Sequence, residues 1–194
     1  MTRLRDRWMI PNLLSLLRLL CGVLLAVLFL QRRFGTTLVV YLFIEVLDQA
    51  DGKLARAFGW QTLTGTFFDP FVDSFVHLTA FACLLTIDVV PLWMFLVFLF
   101  RESSLSFLRL LASLQGIRLG GSWAGKTKAF THVLAILVCL WSLTGASETL
   151  SLAPSPWLYL AVLASIVTGI YYFAEYRMVL VKAFMVREAP RNGG

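Results

Sequence analysis

Charge is scarce in this chain: of 194 residues only 14% are Asp, Glu, Lys or Arg, while 59% are hydrophobic. A soluble domain of this length could not bury so much apolar side chain, which excludes that class. Cysteine is just as thin. Cys21, Cys83 and Cys139 are odd in number and each lies inside an apolar run, so they read as buried free thiols without a disulfide framework. No basic face stands apart from the edges of the apolar stretches, so nucleic acid is not an expected partner despite a net charge of +6. Internal repeats, low-complexity segments and room for a separate soluble domain are lacking as well.

What is present is apolar length. Six stretches near twenty residues, at 9–30, 36–58, 66–88, 91–114, 127–146 and 156–181, are each long enough to cross a hydrocarbon core. Turn signals separate them at Gln31–Gly35, Ile87–Pro91 and Thr144–Pro156. The expected fold is all-α: a polytopic membrane protein with six transmembrane helices in one bundle over residues 1–185, followed by a flexible cytoplasmic tail at 186–194.

Basic residues gather at Arg3, Arg5 and Arg7, near Lys53 and Arg56, from Arg109 to Lys128, and from Arg177 to Arg191. The connections around Asp88 and Glu148 carry none, and only Arg32 and Arg33 break the pattern. The positive-inside rule then places both termini in the cytoplasm, as six spans require. The basic, apolar opening resembles a signal peptide, but Arg18 interrupts its apolar run and no small-x-small cleavage site follows.

Four aspartates stand out against this background. They sit in a frame of small residues: Asp48-Gln-Ala-Asp51-Gly52-Lys-Leu-Ala55-Arg56, then eight residues, then Gly65-xxx-Asp69-xxx-Asp73. An ionised carboxylate in a membrane helix costs about 2.5–3.5 kcal/mol on insertion scales, so four of them oppose insertion by on the order of 10 kcal/mol unless compensated. Asp48 and Asp51 are three apart near the inner end of the second span, and Asp69 and Asp73 four apart near the start of the third. Each pair therefore shares a helix face at similar depth below the cytoplasmic surface. Gly52, Ala55 and Gly65 let the two helices approach closely.

Two facing pairs of hard oxygen ligands suit Mg²⁺ or Mn²⁺, with room for two ions. With Arg56 alongside, such a centre is a diphosphate clamp. Asp73, furthest along the third span, is the candidate general base. A plain buried ion network with Lys53 and Arg56 is the bland alternative, and the small residues at their spacings argue against it. A divalent-cation transporter would need a polar path to the far side, which the outer halves of these spans do not supply.

The string D-x2-D-G-x2-A-R-x8-G-x3-D-x3-D, matched residue for residue from Asp48 to Asp73, resembles the signature of the CDP-alcohol phosphotransferase family. The resemblance implies a six-helix membrane enzyme, commonly a homodimer. It implies that Asp48, Asp51 and Asp69 ligate metal and that Asp73 serves as ligand and general base. By the same likeness Gly52, Ala55 and Gly65 make room for the cytidine nucleotide and Arg56 meets the diphosphate. The family reaction is attack of an alcohol hydroxyl on the lipid-linked phosphorus of a CDP-activated lipid, releasing CMP.

The likeness extends further. Ile10-Pro-Asn-Leu-Leu-Ser-Leu-Leu-Arg18 resembles the first-helix opening of the phosphatidylglycerophosphate synthases, with Ser15 where a threonine is commoner. That implies that Asn12, Ser15 and Arg18 help hold the CDP-lipid; an interfacial Asn and a snorkelling or paired Arg is the bland alternative. The segment from Arg101-Glu102 through Arg109, then Arg118-Leu-Gly-Gly-Ser-Trp-Ala-Gly125-Lys126-Thr-Lys128, is similar to the same branch. It offers Arg109, Arg118, Lys126 and Lys128 to the phosphate of sn-glycerol 3-phosphate, where the alternative is a ligand-free positive-inside loop.

Glu102 and Arg109 are seven apart and expected to pair, while Arg101 lies deeper and supports packing. Ser74 departs from the lysine usual in those synthases, which keeps inositol phosphate, inositol and, lowest, serine open as acceptors. His77 reads as a packed helix histidine sooner than a group that tunes Asp73. The expected location is the inner membrane, with CDP-diacylglycerol, glycerol 3-phosphate and membrane lipids as partners and the active site facing the cytoplasm.

Overall fold

The computed structural model describes the backbone of residues 2–58, 63–117, 123–145 and 154–185, and the side chains of 13–50, 68–117, 123–145, 156–183 and 185. Seven helices follow one another among these residues: α1 Thr2–Leu30, α2 Phe34–Phe58, α3 Leu63–Leu85, α4 Leu92–Leu114, α5 Trp123–Leu143, α6 Pro154–Glu175 and α7 Arg177–Met185. Four of them contain segments long and apolar enough to cross a membrane: Leu13–Leu30, Phe68–Leu85, Trp123–Leu143 and Pro156–Glu175. The helices α2 and α4 are of similar length, 25 and 23 residues, and α4 carries two of the buried charged residues, Arg101 and Glu102.

One expectation is corrected. The stretch 156–181 is not a single helix, because α6 ends at Glu175 and α7 starts at Arg177. The apolar run is interrupted there by Glu175-Tyr176-Arg177, and the Tyr176 ring stacks on that of Tyr172, centroids 6.2 Å apart. Gln115, just past the end of α4, donates from Nε2 to the Val179 carbonyl of α7 at 2.8 Å, tying the short helix back to the bundle.

The turns explain where helices stop. The N–H of Ile117 reaches the Ala112 carbonyl at 2.8 Å and that of Gly116 the Ser113 carbonyl at 3.0 Å, with Gly116 at φ +71°. This is a Schellman close, in which the left-handed residue costs least as glycine. The same bond pattern ends α1 and α3, yet there Arg32 and Asp88 occupy the left-handed position, at φ +60° and +59°.

Two apolar clusters fill the interior. Leu25, Phe29, Tyr41, Phe81, Phe98, Ile136 and Leu158 build the larger one, and Leu105, Leu108, Ala112, Ala124, Tyr172 and Val179 the smaller. The outside is also apolar: Leu30, Val39, Val46, Phe100, Phe130 and Ile170 are all more than 60% exposed. So much exposed apolar side chain suits lipid and not water. At the seam of α1 and α3, Gly22 packs so closely that a Cβ there would stand 3.3 Å from Val76 Cγ2.

Candidate active site

The acidic residues read from sequence come together where α1, α2 and α3 meet. Ser15 and Arg18 lie three apart on α1, so both project from one face, and both are buried. The Ser15 hydroxyl donates to Asp69 Oδ1 on α3 at 2.6 Å. Arg18 donates from Nη1 to Asp48 Oδ1 on α2, and its Nη2 stands 3.6 Å from Asp69 Oδ1. One guanidinium thus meets carboxylates from two helices. Arg18 is a paired arginine, and the group it pairs with is the aspartate frame itself.

Exposure falls steadily into the bundle. The side chains of Asp48 and Asp69 are 45% and 46% exposed, that of Asp73 35%, Glu45 16% and His77 2%. Asp48 and Asp69 stand at an open mouth, and one turn further along each helix the acids run inward. His77 closes the deep end, with Nδ1 3.5 Å from Asp73 Oδ1 and Nε2 3.3 Å from Glu45 Oε1. Glu45 was not anticipated from sequence, although its place three residues before Asp48 puts it on the same face of α2.

A second polar cluster lies against the first. Glu102 of α4 accepts from the Ser74 hydroxyl of α3 at 2.6 Å and from Arg101 Nη1 at 2.7 Å, and Lys128 Nζ of α5 stands 2.7 Å from its Oε1. Arg101 reaches on to Thr168 Oγ1 of α6 at 3.4 Å. All five are buried. Two cations against one carboxylate leave the cluster with an excess positive charge, formed across four helices.

This cluster revises two expectations. Glu102 is taken by Ser74, Arg101 and Lys128, and no ion pair joins it to Arg109, which lies off the buried stripe of α4. Lys128, grouped by sequence with Arg109, Arg118 and Lys126 as a cation for the acceptor phosphate, lies on the buried stripe of α5 with Ala124, Thr131, His132 and Ala135. Lys126 is exposed and Arg109 half-buried. Arg101 lies deep, buried and paired with Glu102. The side chains of Asn12, Asp51, Gly52, Ala55, Arg56 and Gly65, and all of Arg118, fall outside the described residues.

Among the described residues no three carboxylate, cysteine or histidine groups stand together as a metal site. The donor set nevertheless suits a hard cation: Asp48 and Asp69 come from different helices, are half-exposed, and lie near enough to share the charge of Arg18. Asp51, the remaining acid of the frame on α2, has its backbone on the same helix one turn toward the mouth.

The family pattern described as CDP-alcohol phosphatidyltransferase matches residues 8–171, from the first helix to the sixth. The chain belongs to this family. It is a transferase of the CDP-alcohol phosphatidyltransferase kind. A CDP-diacylglycerol–glycerol-3-phosphate 3-phosphatidyltransferase of Treponema pallidum is 35% identical over 121 residues, 62% of this chain and 55% of that protein. A probable phosphatidylglycerophosphate synthase of Mycobacterium tuberculosis is 29% identical over 182 residues, 89% of this chain and 85% of that one. A CMP-forming cardiolipin synthase of Streptomyces coelicolor is 36% identical over 102 residues, covering 50% and 47%. The match to the Treponema protein thus spans only about half of its length. Within the family match lie the whole aspartate frame, Ser15 and Arg18, and also Glu45, His77 and the Glu102 cluster.

Proposed function

We propose that this protein transfers the phosphatidyl group of CDP-diacylglycerol to the hydroxyl of sn-glycerol 3-phosphate, releasing CMP and forming phosphatidylglycerophosphate. What carries the reading is the meeting of Asp48 and Asp69 on Arg18 across three helices, with Asp73 one turn further in. The names of the Treponema and Mycobacterium relatives supply the acceptor.

In the proposed reaction the acceptor oxygen attacks the phosphorus of the phosphatidyl group and its proton passes to Asp73. The bond from that phosphorus to the CMP oxygen breaks, and CMP leaves. Two Mg²⁺ or Mn²⁺ ions, held by Asp48, Asp51, Asp69 and Asp73, would supply Lewis-acid stabilisation of the charge on the diphosphate. Arg18 and Ser15 fix the aspartate pair, and Arg56 meets the diphosphate. Lys126, Arg109 and Arg118 receive the acceptor phosphate on the same side. Lys128 would join them by exchanging Glu102 for that phosphate.

The proposal includes six membrane spans with both termini in the cytoplasm, an inner-membrane location and a homodimer. The bias of Lys and Arg toward one set of connections supports the orientation. A second reading keeps the reaction and changes the acceptor, because Ser74 replaces the lysine of the resembling branch and one relative is named as a cardiolipin synthase.

The test is CMP release by purified protein given CDP-diacylglycerol, Mg²⁺ and one acceptor at a time: glycerol 3-phosphate, phosphatidylglycerol, inositol phosphate, inositol or serine. Release with glycerol 3-phosphate alone is expected. Release with a different acceptor alone would reassign the substrate, and no release with any would remove the reading.

A further inference from the structure

The deep end of the acidic mouth is closed by two residues that belong to none of the motif positions. We propose that His77, anchored by Glu45, is a positioning residue that fixes the direction of the Asp73 carboxylate. The inference rests on the reading that Asp73 takes the acceptor proton.

Asp73 needs such a device. Its side chain, one turn in from the mouth, is still 35% exposed, which leaves a short carboxylate room to turn about its own bonds before metal and substrate arrive. A general base must come within about 2.6–3.2 Å of the oxygen whose proton it removes. Misplacement by about 1 Å can cost on the order of 10²-fold in rate. A half-buried aspartate without a fixed protein neighbour would spend part of its time facing elsewhere.

His77 meets the need geometrically. It follows Asp73 by four residues on α3, so the two share a helix face, and its Nδ1 lies 3.5 Å from Asp73 Oδ1. The ring is confined on its far side: Nε2 stands 3.3 Å from Glu45 Oε1 on α2, and the His132 ring lies edge-on at 5.9 Å. Both ring nitrogens face carboxylates at ion-pair distance without a hydrogen bond among the described residues. With only 2% of its side chain exposed, the imidazole has little room to swing away. Glu45 is fixed in turn by its place on α2, one turn from the fully buried Tyr41.

Holding Oδ1 from below leaves the other oxygen of Asp73 to face the acceptor hydroxyl. The next residue, Ser74, is bonded to Glu102 at 2.6 Å, so this turn of α3 is held on a second side. A carboxylate oriented by a buried histidine, itself held by a second carboxylate, follows the logic by which outer partners orient reacting groups.

Three substitutions separate positioning from packing. His77→Asn keeps a donor near the place of Nδ1, His77→Gln reaches toward the place of Nε2 and Glu45, and His77→Leu keeps bulk without either. Steady-state CMP release from CDP-diacylglycerol and glycerol 3-phosphate is measured for each, beside its thermal unfolding midpoint in detergent. For His77→Leu, kcat should fall on the order of 10²-fold with the KM for CDP-diacylglycerol unchanged. His77→Asn should recover at least about tenfold of that loss, and His77→Gln should not. Glu45→Gln, on the other helix, should lower kcat in the same direction.

Equal rates for wild type and His77→Leu would overturn the proposal. So would a loss in His77→Leu that His77→Asn shares in full, or one that follows the unfolding midpoints. Wild-type protein without turnover would overturn the transferase reading and this one together, whereas normal wild-type turnover with insensitive variants overturns this one alone.

Discussion

Ser15 of α1 and Asp69 of α3 are joined by a 2.6 Å hydrogen bond although 54 residues separate them in sequence. The bond links the first helix, which contributes no acid to the frame, to the helix that contributes two. Arg18, one turn further along α1, extends the link to Asp48 on α2. The first helix therefore orders the acids that the next two supply.

Ser15→Ala should weaken that order. A lost hydrogen bond of this kind is worth about 1 kcal/mol in stability, read from the unfolding midpoint. The KM for CDP-diacylglycerol should rise as Asp69 loosens, while Ser15→Thr, which keeps the hydroxyl, stays near wild type. Equal KM values in both variants would detach the bond from substrate binding.

Asp73→Asn removes the proposed proton acceptor at nearly constant shape. Turnover should fall by about 10²–10⁴-fold, the usual contribution of a positioned acid or base. Binding of CDP-diacylglycerol, measured by displacement of a labelled CDP-lipid, should survive. Full activity in this variant would reject the assignment.

Metal removal gives an independent check. EDTA should abolish CMP release and added Mg²⁺ or Mn²⁺ should restore it. Asp48→Asn and Asp69→Asn should each raise the metal concentration needed for half-maximal rate. Undiminished turnover after exhaustive chelation would exclude the cation from the reaction.

Glu102→Gln tests the buried cluster. Removing this charge leaves Arg101 and Lys128 inside the bundle without their shared carboxylate, a change that costs about 3–5 kcal/mol in comparable buried pairs. The unfolding midpoint should drop sharply, and adding Lys128→Met should recover part of the loss. A double variant whose loss equals the sum of the losses in Glu102→Gln and Lys128→Met would show that the pair is not coupled.

Much of this was legible in the sequence because the signals are local. Apolar length marked the helices, and the aspartate frame is a matter of three- and four-residue spacings on two neighbouring ones. The rest depends on which side each helix turns toward the others. Lys128 falls within the fifth apolar stretch, yet its sequence neighbours do not tell that it lies on the buried stripe of α5 and not with Lys126 at the surface. Ser74, Glu102 and Thr168 come from helices whose mutual rotation no spacing fixes. Glu45 could have been found as a third acid on the face of Asp48, but His77 gains its meaning only from the α2–α3 contact. The break at Tyr176 carries neither proline nor glycine, so no punctuation announced it.

Clearance at Gly22 bears on how this protein could change. An alanine there would set its methyl 3.3 Å from Val76 Cγ2, so that the third helix's side chain would have to give by a few tenths of an ångström. That displacement would act, two turns away, on the Ser15–Asp69 contact. New head-group preferences would thus arise more readily from the fourth and fifth helices, with the floor beneath the acids inherited intact.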